Sequence, residues 1–89
     1  MQVSDVYIYG NRYRVKSDMD GAFLESVAGY VNERMREIQR QLNDLTTSKV
    51  AVMAAFDIAA ELLVLKKEAE RSIAEIERLE SRIESIIKG

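Results

Sequence analysis

Residues 5–16, DVYIYGNRYRVK, alternate apolar and polar positions on either side of Gly10. A period of two is the pattern of strands with one covered face. Gly10-Asn11 offers two residues tolerant of the positive φ that tight hairpin turns require, so the segment is predicted as an antiparallel hairpin closed there. That register sets Tyr9 opposite Arg12, Ile8 opposite Tyr13, Tyr7 opposite Arg14, Val6 opposite Val15 and Asp5 opposite Lys16. It sorts Val6, Ile8, Tyr13 and Val15 onto one face and Asp5, Tyr7, Tyr9, Arg12, Arg14 and Lys16 onto the other. A slip of one residue would mix the two faces.

Ser17-Asp18-Met19-Asp20 has the composition of a helix start, a Ser cap with acids in the first turn. Over about residues 19–41 and just beyond, Leu24, Val27, Val31, Met35, Ile38 and Leu42 recur at steps of three and four, one stripe of an amphipathic helix. Ala28 and Gly29 are small enough to admit a close neighbour. Asn43 to Ser48 form a short polar connection ending in N-cap residues, and a second helix runs from about Lys49 with no breaker before Gly89. Roughly forty residues at about 1.5 Å each give about 60 Å, more than a globule of this length can span.

The first half of that helix, VAVMAAFDIAAELLVL at 50–65, has only Asp57 and Glu61 as non-apolar residues. It therefore needs cover on more than one side. One side is expected against the chain's own first helix and hairpin, the other against the same segment of a second copy, through Met53, Phe56, Asp57, Ala60 and Val64. The second half is charged with a narrow apolar seam. Ile76, Leu79, Ile83 and Ile86 alternate steps of three and four, the a/d spacing of a coiled coil. Extended backwards, the seam takes in Ala69 and Ser72, Leu62 and Leu65, then Ala55 and Ile58. The fold class expected is α+β: a head over residues 1–64, built from the hairpin, the first helix and the start of the second, then a coiled-coil extension over 65–89.

Composition narrows the chemistry. The chain has no Cys, which removes disulfides and thiolates, and no His, which removes the commonest general base and metal ligand. A net charge of −2 with both signs interspersed argues against a binder dominated by nucleic-acid phosphates. MQVSDVYIYG lacks a basic stretch followed by an apolar one, so no signal peptide is expected. Residues 50–65 fall short of the roughly 20 apolar residues that a bilayer requires. A cytoplasmic setting without membrane contact is expected.

Each polar constellation has a plain structural reading. The Tyr/Arg face of the hairpin suits base stacking and phosphate, but also suits ordinary cross-strand pairs or protein docking. Glu33, Arg36, Glu37 and Arg40 form a ladder on the outer side of the first helix, in which each pair contributes only ~0.2–0.5 kcal/mol. Asp57 and Glu61 stand at i and i+4 with no nucleophile motif, His or Cys to make a catalytic or metal site. A buried lone carboxylate is costly, so Asp57 is expected at a helix–helix contact, paired across it with an Arg or a backbone donor. Gly10 is a turn glycine, not part of a phosphate loop. No enzyme activity, cofactor, metal or small-molecule substrate is expected.

The order of segments is familiar. VYIYGNRYRV fits a V-x-I-x-G-x-x-Y-x-V hairpin, followed by VAGYVNERMREI, then KVAVMAAFDIAAELL and a charged coiled-coil tail. Over about residues 5–65 this resembles the ZapA family of bacterial cell-division proteins, and the tail agrees in type. The resemblance implies a non-enzymatic factor that binds FtsZ and bundles its filaments at the division septum. It further implies dimers through head and long helix, joined as antiparallel tetramers whose paired heads grip two filaments. Carried onto this sequence, the FtsZ-facing residues are Arg12, Arg14, Arg36, Arg40 and Lys49, a basic set suited to an acidic partner. The family usually has Asn where this chain has Asp57, which points to an Arg partner or a partly exposed position here. Two other readings stand beside it: a dimeric strand–helix–helix DNA binder, against which charge balance and helix length weigh, and a generic coiled-coil adaptor.

Overall fold

A computed structural model of the chain describes residues 1–88, with side chains for 1–84 and 86. The element order is β1 (Gln2–Ile8), β2 (Asn11–Ser17), α1 (Gly21–Gln41) and α2 (Thr47–Lys88). By contacts the chain divides into one unit of Met1–Ile58 and a second beginning at Ala59.

The hairpin forms, but two residues out of the expected register. Ile8 pairs with Asn11, Tyr7 with Arg12, Val6 with Tyr13, Asp5 with Arg14 and Ser4 with Val15, and the ladder reaches back to Gln2 opposite Ser17. The turn is therefore Tyr9-Gly10, both at positive φ (52° and 83°), as a tight two-residue hairpin loop demands. A shift of two leaves each strand residue on its expected face, so alternation alone could not detect it. The exception is Tyr9, which the turn removes from the outer face and packs against the core. A distant residue explains the choice of turn. Asn32 of α1 accepts the Tyr9 N–H through Oδ1 at 2.6 Å and donates through Nδ2 to the Tyr7 carbonyl at 2.9 Å. One side-chain amide thus holds both ends of a turn that places a bulky residue at an uncommon φ.

Ser17 does not cap α1. Its Oγ accepts the Met19 N–H at 3.0 Å within the connection, while Asp20 occupies the cap position without a side-chain cap bond. The helix begins with Leu24 N–H to the Asp20 carbonyl at 3.0 Å. At the other end Leu42 N–H returns to the Ile38 carbonyl at 2.9 Å. Asp44 then takes positive φ (68°) to turn the chain. Thr46 starts α2, its Oγ1 accepting the Lys49 N–H at 3.3 Å, so α2 begins at Thr47 rather than at Lys49.

α1 lies against β1. Val6 and Ala28 are buried, and no residue of β2 is. Met35 of α1 joins Val50 and Ala54 of α2 in the core, with Ile8, Tyr9, Val31, Ile38 and Leu45 packed around them. The expected α1 stripe is thus narrower than its apolar spacing. Leu24, Val31, Met35 and Ile38 lie along it with Ala28, whereas Val27 and Leu42 are exposed.

Candidate interaction surfaces

The greasy segment of α2 is covered on one side only. Val50 and Ala54 are buried and Ile58 half-buried, a line of steps of four that follows one face of a helix. Val52, Met53 and Phe56 point elsewhere, with Phe56 78% exposed. In the second unit Ala60, Leu62, Leu63, Val64, Leu65 and Ala69 are exposed as well. So are Ile76, Leu79, Ile83 and Ile86 of the seam. Exposed apolar surface of this extent marks a contact site. Among the described residues no helix is long and apolar enough to cross a membrane.

Asp57 has the arginine partner that its position called for, and that partner is in its own chain. Arg34 Nη1 donates to Asp57 Oδ2 at 2.8 Å across α1 and α2. Nη2 of the same guanidinium donates to the Tyr30 hydroxyl at 2.7 Å, and its carbon lies 4.9 Å from the centre of the Tyr30 ring. The planar fork of Arg suits this double engagement. The Arg34 side chain is 24% exposed and that of Asp57 51%, so the pair borders the exposed apolar face rather than lying in a dry core. Arg34 and Asn32 were both absent from the sequence candidates. The available signal was position: each sits beside the apolar stripe, where a polar side chain needs an explanation.

The basic candidates fall into separate groups. Arg12 and Arg14 lie on β2, on the hairpin face opposite Val6, both exposed, with Arg14 Nε 3.9 Å from Asp5 Oδ1. Arg36 and Arg40 share an exposed face of α1 with Glu33 and Glu37, and among the described residues no ion pair joins these four. Their neighbours on the other side are Gln39 and Asn43. Lys49 borders a shallow apolar depression with Leu45, Ser48, Val52 and Met53. Nothing in the geometry brings the three groups into one site. Among the described residues no cluster of acids is arranged to hold a metal ion, and no polar side chain is buried.

Comparison with known proteins agrees with this architecture. A family model described as Cell division protein ZapA matches residues 5–88. The cell division protein ZapA of Shouchella clausii is 38% identical over 65 residues, covering 73% of this chain and 83% of that protein. Its counterpart in Bacillus thuringiensis is 34% identical over 67 residues, 75% of each chain. Among solved structures, a ZapA mutant dimer from Geobacillus stearothermophilus superposes with a TM-score of 0.72 at 32% identity, over 85% of this chain and 88% of that one. A protein described as an unknown conserved bacterial protein from Pseudomonas aeruginosa PAO1 gives 0.71 at 30% identity, over the whole of both chains.

Proposed function

The chain belongs to the cell division protein ZapA family, and from that premise we propose that it is a non-enzymatic cross-linker of FtsZ filaments at the division septum. Two copies pair through the uncovered side of α2, burying Met53, Phe56, Ala60 and Val64, with Asp57 and its Arg34 partner at the border. The seam of Leu62, Leu65, Ala69, Ile76, Leu79, Ile83 and Ile86 continues that pairing as a coiled coil and joins dimers into tetramers. The dimer formed by the mutant Geobacillus relative supports the first step. Each head meets FtsZ through Arg12, Arg14, Arg36, Arg40 and Lys49, and heads on one particle hold two filaments by bivalency.

The observation that carries this reading is the exposed apolar face of α2, where Phe56 is 78% exposed beside a buried Val50 at 1%. One helix cannot cover both of its sides with a single layer of its own chain. The test is mass by light scattering across protein concentration, followed by co-sedimentation with FtsZ. A dimer or tetramer that increases FtsZ pelleting is expected. A folded monomer at all concentrations, or FtsZ pelleting unchanged at every salt concentration, refutes the reading.

A further inference from the structure

β2 is an edge strand with a selective edge. The sheet holds two strands, so β2 is paired on one side only, and none of its residues is buried. A two-residue turn makes its flanking pair, Ile8 and Asn11, exchange both backbone bonds. Antiparallel pairing alternates from there, so Asn11, Tyr13, Val15 and Ser17 bond towards β1. The N–H and C=O of Arg12, Arg14 and Lys16 then point out along the open edge. The three residues with outward backbone groups are thus the three basic residues of the strand.

Their side chains share the face away from α1 with Val3, Asp5 and Tyr7 of β1, and Asp5 is the acid that faces them, 3.9 Å from Arg14. On the opposite face of β2, Tyr13 is 49% exposed, because α1 lies against β1. An incoming strand therefore meets positive charge on one face and an apolar ring on the other. Charged edges are a common guard against pairing with like strands. A second copy of β2 would set two rows of Arg, Arg and Lys side by side and be repelled. An acidic strand would be drawn in.

We propose that the open edge of β2 binds an extended peptide segment as a third strand, one in which acidic residues alternate with apolar ones. Backbone bonds to Arg12, Arg14 and Lys16 supply the register, the acids pair with the three basic side chains, and the apolar residues lie along Tyr13 and Val15. Such strand addition is an established mode of peptide recognition. The inference rests on the reading that the hairpin's basic face meets an acidic partner, and it specifies the form that partner takes there.

Two measurements test it. The first follows amide hydrogen exchange in the whole chain with a blocked synthetic decapeptide of alternating Glu and Val as probe. The Arg12, Arg14 and Lys16 amides are expected to slow at least tenfold, while the same peptide with Lys for Glu has no effect. No slowing with the acidic peptide overturns the proposal. So does slowing of these amides with protein concentration alone, which would seat a second copy on the edge. The second compares Arg14→Thr with Arg14→Pro in FtsZ co-sedimentation. Both remove the same charge, but only proline removes the outward N–H, at an edge position where proline is tolerated. FtsZ binding about five- to tenfold weaker for the proline variant supports strand addition. Equal binding overturns it and leaves the FtsZ reading intact. Peptide protection without any FtsZ pelleting removes the FtsZ reading and keeps the edge site.

Discussion

Replacing Asn32 with Ala removes both bonds that fix the hairpin turn, and the expected loss follows from their surroundings. The Tyr9 N–H is part-buried and bonded at 2.6 Å, whereas the bond to the Tyr7 carbonyl at 2.9 Å is exposed. Water can replace the partner of an exposed carbonyl but reaches a part-buried N–H less readily, so the first bond carries most of the effect. At ~0.5–1.5 kcal/mol per net bond, with the higher value for the covered donor, Asn32→Ala costs about 2 kcal/mol. Asn32→Asp keeps the acceptor for Tyr9, loses the donor and sets a carboxylate oxygen against the Tyr7 carbonyl. About 1 kcal/mol is expected for that change. The assay is urea unfolding by circular dichroism at one fixed protein concentration, since self-association shifts apparent stability. Hydrogen exchange at the Tyr9 amide provides the local readout. A loss below about 0.5 kcal/mol in Asn32→Ala, with Tyr9 exchange unchanged, would refute the claim that Asn32 sets the turn, because that is the lower bound for one such bond.

Gly10 at φ 83° has open space where a Cβ would sit, so Gly10→Ala carries backbone strain alone and lowers stability by about 1–2 kcal/mol in thermal unfolding. Gly29 lies inside α1, also with open space where a side chain would begin. Gly29→Ala should raise stability by about 0.5–1 kcal/mol, and a loss would reveal another copy packed against that spot. For Arg34 and Asp57, a double-mutant cycle with Arg34→Gln and Asp57→Asn should give a coupling under about 1 kcal/mol. The pair is partly exposed, so the coupling should also shrink as salt is added. Ile83→Glu combined with Ile86→Glu should reduce the proposed tetramer to a dimer by light scattering, with the hairpin's exchange protection retained. Complete unfolding would show that head and tail are not separable.

The helices were legible because their signals are local and redundant. Leu24, Val31, Met35 and Ile38 repeat a spacing that only a helix turns into one face, and the polar run before Thr47 contains its own cap, Thr46. Helix starts were less legible. Ser17 and Thr46 are both good cap residues, yet the first closes a turn onto Met19 and only the second caps a helix. The candidate surfaces were legible as composition, a basic strand and an apolar helix. Arg34 was not. Its role depends on which α2 residue lies across from it, and that is a property of helix packing, not of spacing within α1. Asp57 itself did carry part of the answer, since a carboxylate bordering an apolar face calls for a cation.

The hairpin shows what alternation leaves open and why it matters for binding. Period-two patterning fixes which residues share a face, but a shift of two residues preserves every face. The choice between Gly10-Asn11 and Tyr9-Gly10 turns was therefore made elsewhere, by Asn32 and by the packing of Tyr9 against Met35, Val50 and Ala54. The consequence reaches the basic surface. In the register read from the sequence, Arg14 faces Tyr7 and keeps its whole charge for a partner. In the structure it faces Asp5, while Arg12 faces Tyr7 and Lys16 faces Val3. The Arg14–Asp5 pair is long and its arginine 79% exposed, so it stabilises the fold by little. It still sets a negative charge beside one of three positive ones. Arg12, next to the turn and opposite an aromatic ring, is thus the less compensated cation of the two arginines, and a partner's acid gains more by meeting it than by competing with Asp5 for Arg14.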